Sequence, residues 1–154
     1  MKVALGCDHA GYALKPAIIR YLTSMNIQIL DQGTDSTESV DYPDYAEKVA
    51  VAVAGGSADF GILICGTGLG MAISANKIPG IRAVTVTEPF SAEMARAHNN
   101  ANVLTMGSRV IGSDMAIKIT DVFLSTVFER GRHSKRLDKI SQIESGSGTG
   151  DDLL

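Results

Sequence analysis

Apolar residues follow two different periods along this chain. Short, almost continuous apolar runs, which are typical of buried strands, occur at 2–6, 28–30, 60–64, 82–86 and 103–106. In most of the intervening segments apolar residues recur at helical spacing. Because strands and helices alternate, and parallel strands need crossover connections, the pattern predicts a doubly wound, Rossmann-like α/β domain of about five parallel strands with helices on both faces. Ligands of such sheets bind at the carboxyl ends of the strands.

The ends of several helices are also visible. Asp41 to Pro43 opens a helix that runs to about Ala54, where two glycines stop it. A later helix is predicted over 113–126, and a final one ends at about Glu144. The segment 145–154 is rich in Gly and Ser and then acidic, which is typical of a disordered tail. We therefore predict one domain, 1–144, followed by a disordered tail, 145–154.

Composition narrows the class of protein. The chain has 154 residues, 45% of them hydrophobic, and a formal net charge of −3, so it lacks the basic surface that nucleic-acid binding requires. Every apolar stretch is broken well before the roughly 20 residues of a membrane span, and no signal peptide is visible. Two cysteines are too few for a disulfide framework. We expect a cytoplasmic protein that binds neither nucleic acid nor membranes.

The most informative segment places a thiol and three glycines where the third strand meets a helix. It reads Ile64-Cys65-Gly66-Thr67-Gly68-Leu69-Gly70. Glycines let a backbone approach a ligand and turn its N–H groups inward, and such groups stabilise a thiolate. Cys65 is therefore a candidate base, although a purely structural turn stays open on these residues alone. Cys7, which has no such loop after it, is interpreted as a packing residue.

A dinucleotide site is the other chemistry that this loop suggests, with Glu88 at a suitable distance after it. The last glycine of a G-x-G-x-x-G motif would fall at position 71, which is Met71. The loop also follows the third strand rather than the first. Both details argue against nucleotide binding.

Two further segments carry polar groups suited to a sugar. Asp8 and His9 follow the first strand and could bind hydroxyl or phosphate groups in the crevice, with a helix cap and a surface histidine as the alternative. His98 and Asn99 precede the fifth strand, where the fold could place them away from the crevice. His98 is a candidate acid or base for opening a cyclic sugar, and a turn role for the Asn-rich stretch is the alternative.

Three arginines are candidates for holding a phosphate. Arg132 and Arg136 are four residues apart, so they share one face of a helix. Arg109 lies just beyond the fifth strand. Solvated surface is the alternative for all three. The role of His133 stays undecided.

Seven segments of the chain, taken in order, resemble ribose-5-phosphate isomerase type B. They are Gly6-Cys7-Asp8-His9-Ala10-Gly11, Asp41-Tyr42-Pro43, Ile64-Cys65-Gly66-Thr67-Gly68, Ala75-Asn76-Lys77, His98-Asn99, Gly107-Ser108-Arg109 and Gly131-Arg132-His133. The match spans residues 2 to about 144. No single segment is decisive, but their joint order and spacing are specific.

This resemblance implies an enzyme that interconverts ribose 5-phosphate and ribulose 5-phosphate in the pentose phosphate pathway, through a cis-enediolate and without a metal or cofactor. It implies a homodimer or dimer of dimers with shared active sites, the C-terminal helix reaching a partner subunit. Cys65 would be the base, His98 would open the furanose ring, and Thr67 would assist proton movement. The implied substrate-binding residues are Asp8, His9, Tyr42, Gly66, Thr67, Gly68, Leu69, Gly70, Asn99 and Arg109, with Arg132 and Arg136 reaching the phosphate from the partner.

Other functions stay open on the sequence. An isomerase of a six-carbon phosphate such as allose 6-phosphate would need the same base and a deeper pocket. A catalytically silent sugar-phosphate-binding protein is the alternative from another class, and the presence of both Cys65 and His98 argues against it. One branch of the resembled family uses a carboxylate base instead of the thiol, but the equivalent helix here, Ile73-Ser74-Ala75, has no acid.

Overall fold

A computed structural model of the chain describes residues 1–147. Five parallel strands form one sheet in the order β2-β1-β3-β5-β4. The strands are β1 (Lys2–Cys7), β2 (Gln28–Asp31), β3 (Phe60–Cys65), β4 (Ala83–Thr85) and β5 (Val103–Gly107). The helices are α1 (Lys15–Ser24), α2 (Tyr42–Ala54), α3 (Leu69–Ala75), α4 (Pro89–Ala97), α5 (Ser113–Ser125) and α6 (Arg132–Glu144). The predicted fold class is confirmed.

The fourth strand is shorter than the apolar run predicted. The run 82–86 gives a strand of only three residues, Ala83–Thr85. At its start the N–H of Arg82 donates to the side-chain oxygen of Asn102 at 2.8 Å, so a side chain takes the place of a strand partner. The alternation of apolar and polar residues could not reveal this replacement.

The path of the chain creates a crevice between β1 and β3. From β1 the chain moves outward to β2 through α1, and then returns through α2 to β3 on the other side of β1. Helices α1, α4 and α5 cover one face of the sheet, and α2 and α3 cover the other. Connections that leave two neighbouring strands in opposite directions open a crevice at their carboxyl ends, where ligands bind.

Alternate residues of each central strand fill the two layers of the core. Ile62 and Ile64 of β3 pack beneath α1 and α5, while Leu63 and Cys65 pack beneath α2 and α3. This alternation follows from the two-residue period of a strand buried on both faces. It places Cys65, the last residue of β3, on the face of the sheet that α2 and α3 cover.

Helix α6 stands apart from the core. His133 is its one buried side chain. The turn after it continues through Ser147, whose N–H donates to the carbonyl of Gln142 at 3.0 Å. The rest of the predicted tail, 148–154, lies outside the described residues. Within 1–147 no helix combines the length and the apolar character that a bilayer crossing needs.

Candidate active site

Cys65 ends β3 with its sulfur enclosed by the loop that follows. The residue is 5% exposed, and the N–H of Gly68 donates to its Sγ at 3.1 Å. Gly68 has φ +81°, a left-handed conformation that favours glycine. This turn brings an amide N–H back onto the thiol, and such a donor stabilises a thiolate.

Glycines allow this loop to pack against its neighbours. A Cβ atom at Gly107 would lie 2.7 Å from the backbone of Thr67, and one at Gly70 would lie 2.6 Å from the ring of Tyr42. Either contact is shorter than side chains tolerate, so the loop would have to move. The close packing at Gly70 places Tyr42 beside the loop, and the close approach of this backbone to a ligand stays a prediction.

The end of β1 lies next to this loop. The N–H of Asp8 donates to the carbonyl of Ile64 at 3.2 Å, and the buried Asp8 carboxylate accepts from the N–H of Gly11 at 2.9 Å. Nδ1 of His9 accepts from the N–H of Val40 at 3.2 Å. Because Nδ1 is an acceptor, a neutral His9 carries its proton on Nε2, where it can donate to an anionic ligand.

Arg109 completes the group at the carboxyl edge of the sheet. Its N–H donates to the carbonyl of Gly66 at 3.1 Å, and its side chain lies 3.4 Å from where a Cβ of Gly66 would be. The structure thus brings together the sequence-predicted residues Asp8, His9, Tyr42, Cys65, Gly66, Thr67, Gly68, Leu69, Gly70 and Arg109. We call this set the carboxyl-edge group.

Two neighbouring residues have structural roles. Cys7 is fully buried, its Sγ lies 3.8 Å from the carbonyl oxygen of Thr34, and burial raises the pKa of its thiol to about 11. Glu88 caps α4, where its carboxylate accepts from the N–H groups of Ser91 and Phe90. The Ser91 side chain lowers the pKa of Glu88 most, and these two backbone N–H groups lower it further. Cys7 is confirmed as a packing residue, and Glu88 is occupied at a helix start rather than at the Cys65 loop.

A second cluster of polar residues forms where α4 and α6 meet. The rings of His98 and His133 stack with centroids 4.2 Å apart and planes 7° apart. One carboxylate oxygen of Glu129 lies 3.7 Å from Nε2 of His98 and 3.6 Å from Nε2 of His133. Burial lowers the pKa of His133, and the nearby His98 and Arg132 lower it further, while Glu129 opposes them.

This cluster lies near the amino ends of the strands, which we call the amino edge, whereas Cys65 lies at their carboxyl ends, the carboxyl edge. His98 follows α4 as its C-cap, on the connection to β5, and the carbonyl of Ala97 accepts from the N–H of Glu129 ahead of α6. The five residues of β5, which span about 17 Å at 3.3 Å per residue, separate the two edges. His98, Asn99, Arg132 and Arg136 therefore do not meet Cys65 within one chain. We call these four residues, with Glu129 and His133, the amino-edge group.

Glu129 and His133 are the members of this group that sequence reasoning did not assign. Their spacing of four residues was no reliable signal, because Glu129 lies in the segment before α6 and only His133 lies in the helix. The stacking partner, His98, is distant in sequence, so only the fold reveals the contact. Sequence reasoning also missed Lys15, which is buried. Its Nζ forms ion pairs with Asp31 at 2.8 Å and with Asp35 at 3.1 Å, and these pairs hold the loop after β2 in place.

The amino-edge group also offers three possible metal ligands. Ligand atoms of His98, Glu129 and His133 lie within 4.8 Å of one another. An imidazole binds a metal in its own plane, and two parallel rings share no common point to which both nitrogens could be directed. Nε of Arg132 also donates to Nε2 of His133 at 3.4 Å. As arranged, these residues do not fit a metal ion.

Comparison with known proteins identifies the family. A family model described as Ribose/Galactose Isomerase matches residues 3–140. Ribose-5-phosphate isomerase B of Escherichia coli (strain K12) is 52% identical over 143 residues, covering 93% of this chain and 96% of the relative. The structure of Clostridium thermocellum ribose-5-phosphate isomerase B superposes with a TM-score of 0.93 at 50% identity, covering 95% of this chain and 99% of the other.

A third similar structure contains a sugar phosphate. It is ribose-5-phosphate isomerase B of Mycoplasma genitalium with bound ribulose-5-phosphate. The two structures superpose with a TM-score of 0.90 at 42% identity, and the match covers 94% of this chain and 96% of the Mycoplasma genitalium chain. The family model and these relatives all span nearly the whole domain. The chain belongs to the ribose/galactose isomerase family.

Proposed function

We propose that this protein is an aldose-ketose isomerase that interconverts ribose 5-phosphate and ribulose 5-phosphate. The names of its relatives and the ribulose-5-phosphate bound to the Mycoplasma genitalium enzyme support this substrate pair. The observation that carries the chemistry is the hydrogen bond from the Gly68 N–H to the Cys65 sulfur, inside a loop of backbone donors. Its two free, unlinked cysteines suit a reducing cytoplasm, which we propose as its location.

The proposed reaction moves one proton between two carbons. The Cys65 thiolate takes the proton from C2 of the open-chain aldose, and the electron pair moves to the carbonyl oxygen to give a cis-enediolate. The thiol then returns a proton to C1, while the exposed hydroxyl of Thr67 assists transfer of a proton between O2 and O1. Backbone N–H groups of 66–70 stabilise the oxyanion, and preorganised donors of this kind are typically worth about 10²–10³ in rate each.

The substrate is held by the remaining carboxyl-edge residues in this proposal. Asp8 and Tyr42 contact sugar hydroxyls. At the same edge His9 offers a hydrogen-bond donor, its Nε2–H, and Arg109 offers a positive charge. The phosphate needs more positive charge than this edge supplies. Arg132 and Arg136 supply it, although they belong to the other edge.

We therefore propose that each active site is completed by a second copy of the chain, in a homodimer or a dimer of dimers. The copy contributes His98, which opens the furanose ring, together with Asn99, Arg132 and Arg136. Exposed apolar side chains occur on both parts that would meet. Leu69 and Ile73 of α3 are 58% and 64% exposed, and Ile140 and Ile143 of α6 are 45% and 73% exposed.

An isotope experiment tests the reaction. The protein is incubated in deuterated water, with a chelator, with ribose 5-phosphate, ribulose 5-phosphate or allose 6-phosphate. We expect both five-carbon sugars to interconvert and to gain carbon-bound deuterium. Faster turnover of allose 6-phosphate would favour the six-carbon alternative. Sugar binding without any deuterium uptake would favour the catalytically silent alternative and contradict the isomerase.

A further inference from the structure

Arg96 of α4 is a buried charge without an anionic partner. Arg96 is 7% exposed, and none of the ion pairs within 1–147 includes it. Its Nη1 donates to two neutral oxygens, Oδ1 of Asn100 at 2.8 Å and the carbonyl of Ala101 at 2.6 Å. Its Nε has no hydrogen-bond partner among residues 1–147. A buried charge that lacks full compensation is costly.

The surroundings of this guanidinium are aromatic and positively charged. It lies over the ring of Phe60, 4.6 Å from the centroid, and 5.7 Å from the centroid of Phe123. Burial lowers the pKa of Arg96, and the charge of Arg82 lowers it further. The protein therefore supplies cation-π contacts and carbonyls here, but no carboxylate to balance the charge.

Arg96 lines a cavity of about 360 Å³ that also contains a second arginine. Arg130 lies on its wall, and no acidic residue among the described residues lines it. Asn100 provides a polar amide, while Phe60 and Phe128 provide aromatic surface. Two cations, apolar walls and no acid are the features expected of a pocket for an anion that has an apolar body.

We propose that this cavity binds a small organic oxyanion, a carboxylate or phosphate monoester with a flat apolar group. Arg96 and Arg130 hold the anionic group, and Phe60 and Phe128 contact the apolar group. A bare inorganic anion would satisfy the charges but leave most of the cavity unfilled. The site uses neither Cys65 nor any other member of the carboxyl-edge group, so it does not depend on the proposed reaction.

Phenyl phosphate is a suitable probe, because it joins a dianion to a flat ring. We expect its titration into the full-length protein to shift the backbone amide NMR signals of Asn100, Arg130 and Val127, all of which line the cavity. We expect Arg130→Gln to weaken this binding about tenfold, the typical loss for one charge-assisted contact. Arg20→Gln is the matched control, because Arg20 is an exposed arginine outside the cavity, and it should leave the affinity unchanged.

Two further measurements make the outcome decisive. Phenol, which has the ring without the charge, should produce no shifts at these amides. Arg96→Met should abolish the shifts, and if that variant does not fold, Arg130→Gln alone decides. The proposal is overturned if the cavity amides do not shift, if Arg130→Gln binds like wild type, or if shifts occur only around 66–70 and Arg132. The last result would locate the probe in the proposed sugar site instead.

Discussion

The polar groups at the carboxyl edge and at the amino edge of the sheet are positioned in different ways. At the carboxyl edge, backbone atoms form the site: the N–H of Ser108 donates to the carbonyl of Cys65 at 2.8 Å, and Arg109 binds Gly66 in the same way. At the amino edge, side chains at helix ends form the cluster, and only His133 among those on α6 is buried. At the first edge the Cys65 thiol and the Asp8 carboxylate are buried, whereas the side chains at the second edge are mostly exposed.

This difference indicates which half of the site one chain can supply. All the backbone N–H groups that we propose for the oxyanion, 66–70, belong to one loop of one chain. An exposed cluster of arginines and imidazoles gains binding strength only when another surface excludes water from it. In the proposed mechanism, proton transfer at the Cys65 loop therefore depends on the fold of one chain, whereas ring opening and phosphate binding would depend on association of two copies.

Replacing the proposed base should have the largest effect. We expect Cys65→Ala to lower kcat/KM for ribose 5-phosphate by about 10²–10⁴, because general-base catalysis is typically worth that much. Cys7→Ala is the matched control, since it removes a buried thiol that has no role in the reaction, and it should lower Tm while keeping kcat/KM. Wild-type activity in Cys65→Ala would contradict the whole mechanism.

Mixing two inactive variants tests whether the edges of different copies meet. Cys65→Ala and His98→Asn chains, co-expressed in equal amounts, should regain roughly a quarter of the wild-type activity, because half of the dimers are mixed and each has one intact site. The control is either variant expressed alone. No recovery, with mixed dimers demonstrated by mass spectrometry, would mean that the two groups do not share a site.

The role of His98 can be separated from that of Cys65. Ribose 5-phosphate is cyclic, whereas ribulose 5-phosphate is already open. We expect His98→Asn to slow ribose 5-phosphate turnover about 10²-fold while changing deuterium exchange at C1 of ribulose 5-phosphate much less. Equal losses in both assays would show that His98 acts in proton transfer itself.

Two glycine substitutions test the close packing of the carboxyl edge. Gly107→Ala would push a methyl group against the backbone of Thr67, so we expect a loss of about 1–3 kcal/mol in the free energy of unfolding and reduced kcat. Gly112→Ala is the matched control, because nothing lies within 4 Å of its new Cβ and its φ is −83°. Because Gly112 is the N-cap of α5, where alanine is less favourable than glycine, we expect a loss of at most about 1 kcal/mol and an unchanged kcat. Equal effects in urea unfolding would contradict the packing argument.

The smallest expected effect is a pH dependence at the amino edge. Since the folded pKa of His133 lies below its ordinary value of 6.5, the unfolded chain binds more protons, so stability falls as the pH falls through 6.5. The charged groups near it are His98, Glu129, Arg132 and Arg136. We expect His133→Gln to reduce the loss of Tm between neutral and mildly acidic pH. An unchanged loss would exclude His133 as the cause.

The sequence predicted the carboxyl edge better than the amino edge. The residues around Cys65 follow strand ends directly, and in a parallel sheet those ends share one edge. His98 and Arg132 lie at helix ends, where the position depends on how α4 and α6 pack. No local pattern specified the His98–His133 stack, because its two residues are 35 positions apart in sequence.

By itself, the sequence determined the alternation of strands and helices, the thiol in its glycine loop and the packing role of Cys7. These follow from local period and from residue chemistry, which act over a few neighbouring positions. The tertiary structure alone decided that the imidazoles of His98 and His133 lie a strand's length from the thiol, as do Arg132 and Arg136, and that Arg96 is buried without a carboxylate. Such distances depend on strand order and helix packing, which arise from contacts between residues far apart in the chain.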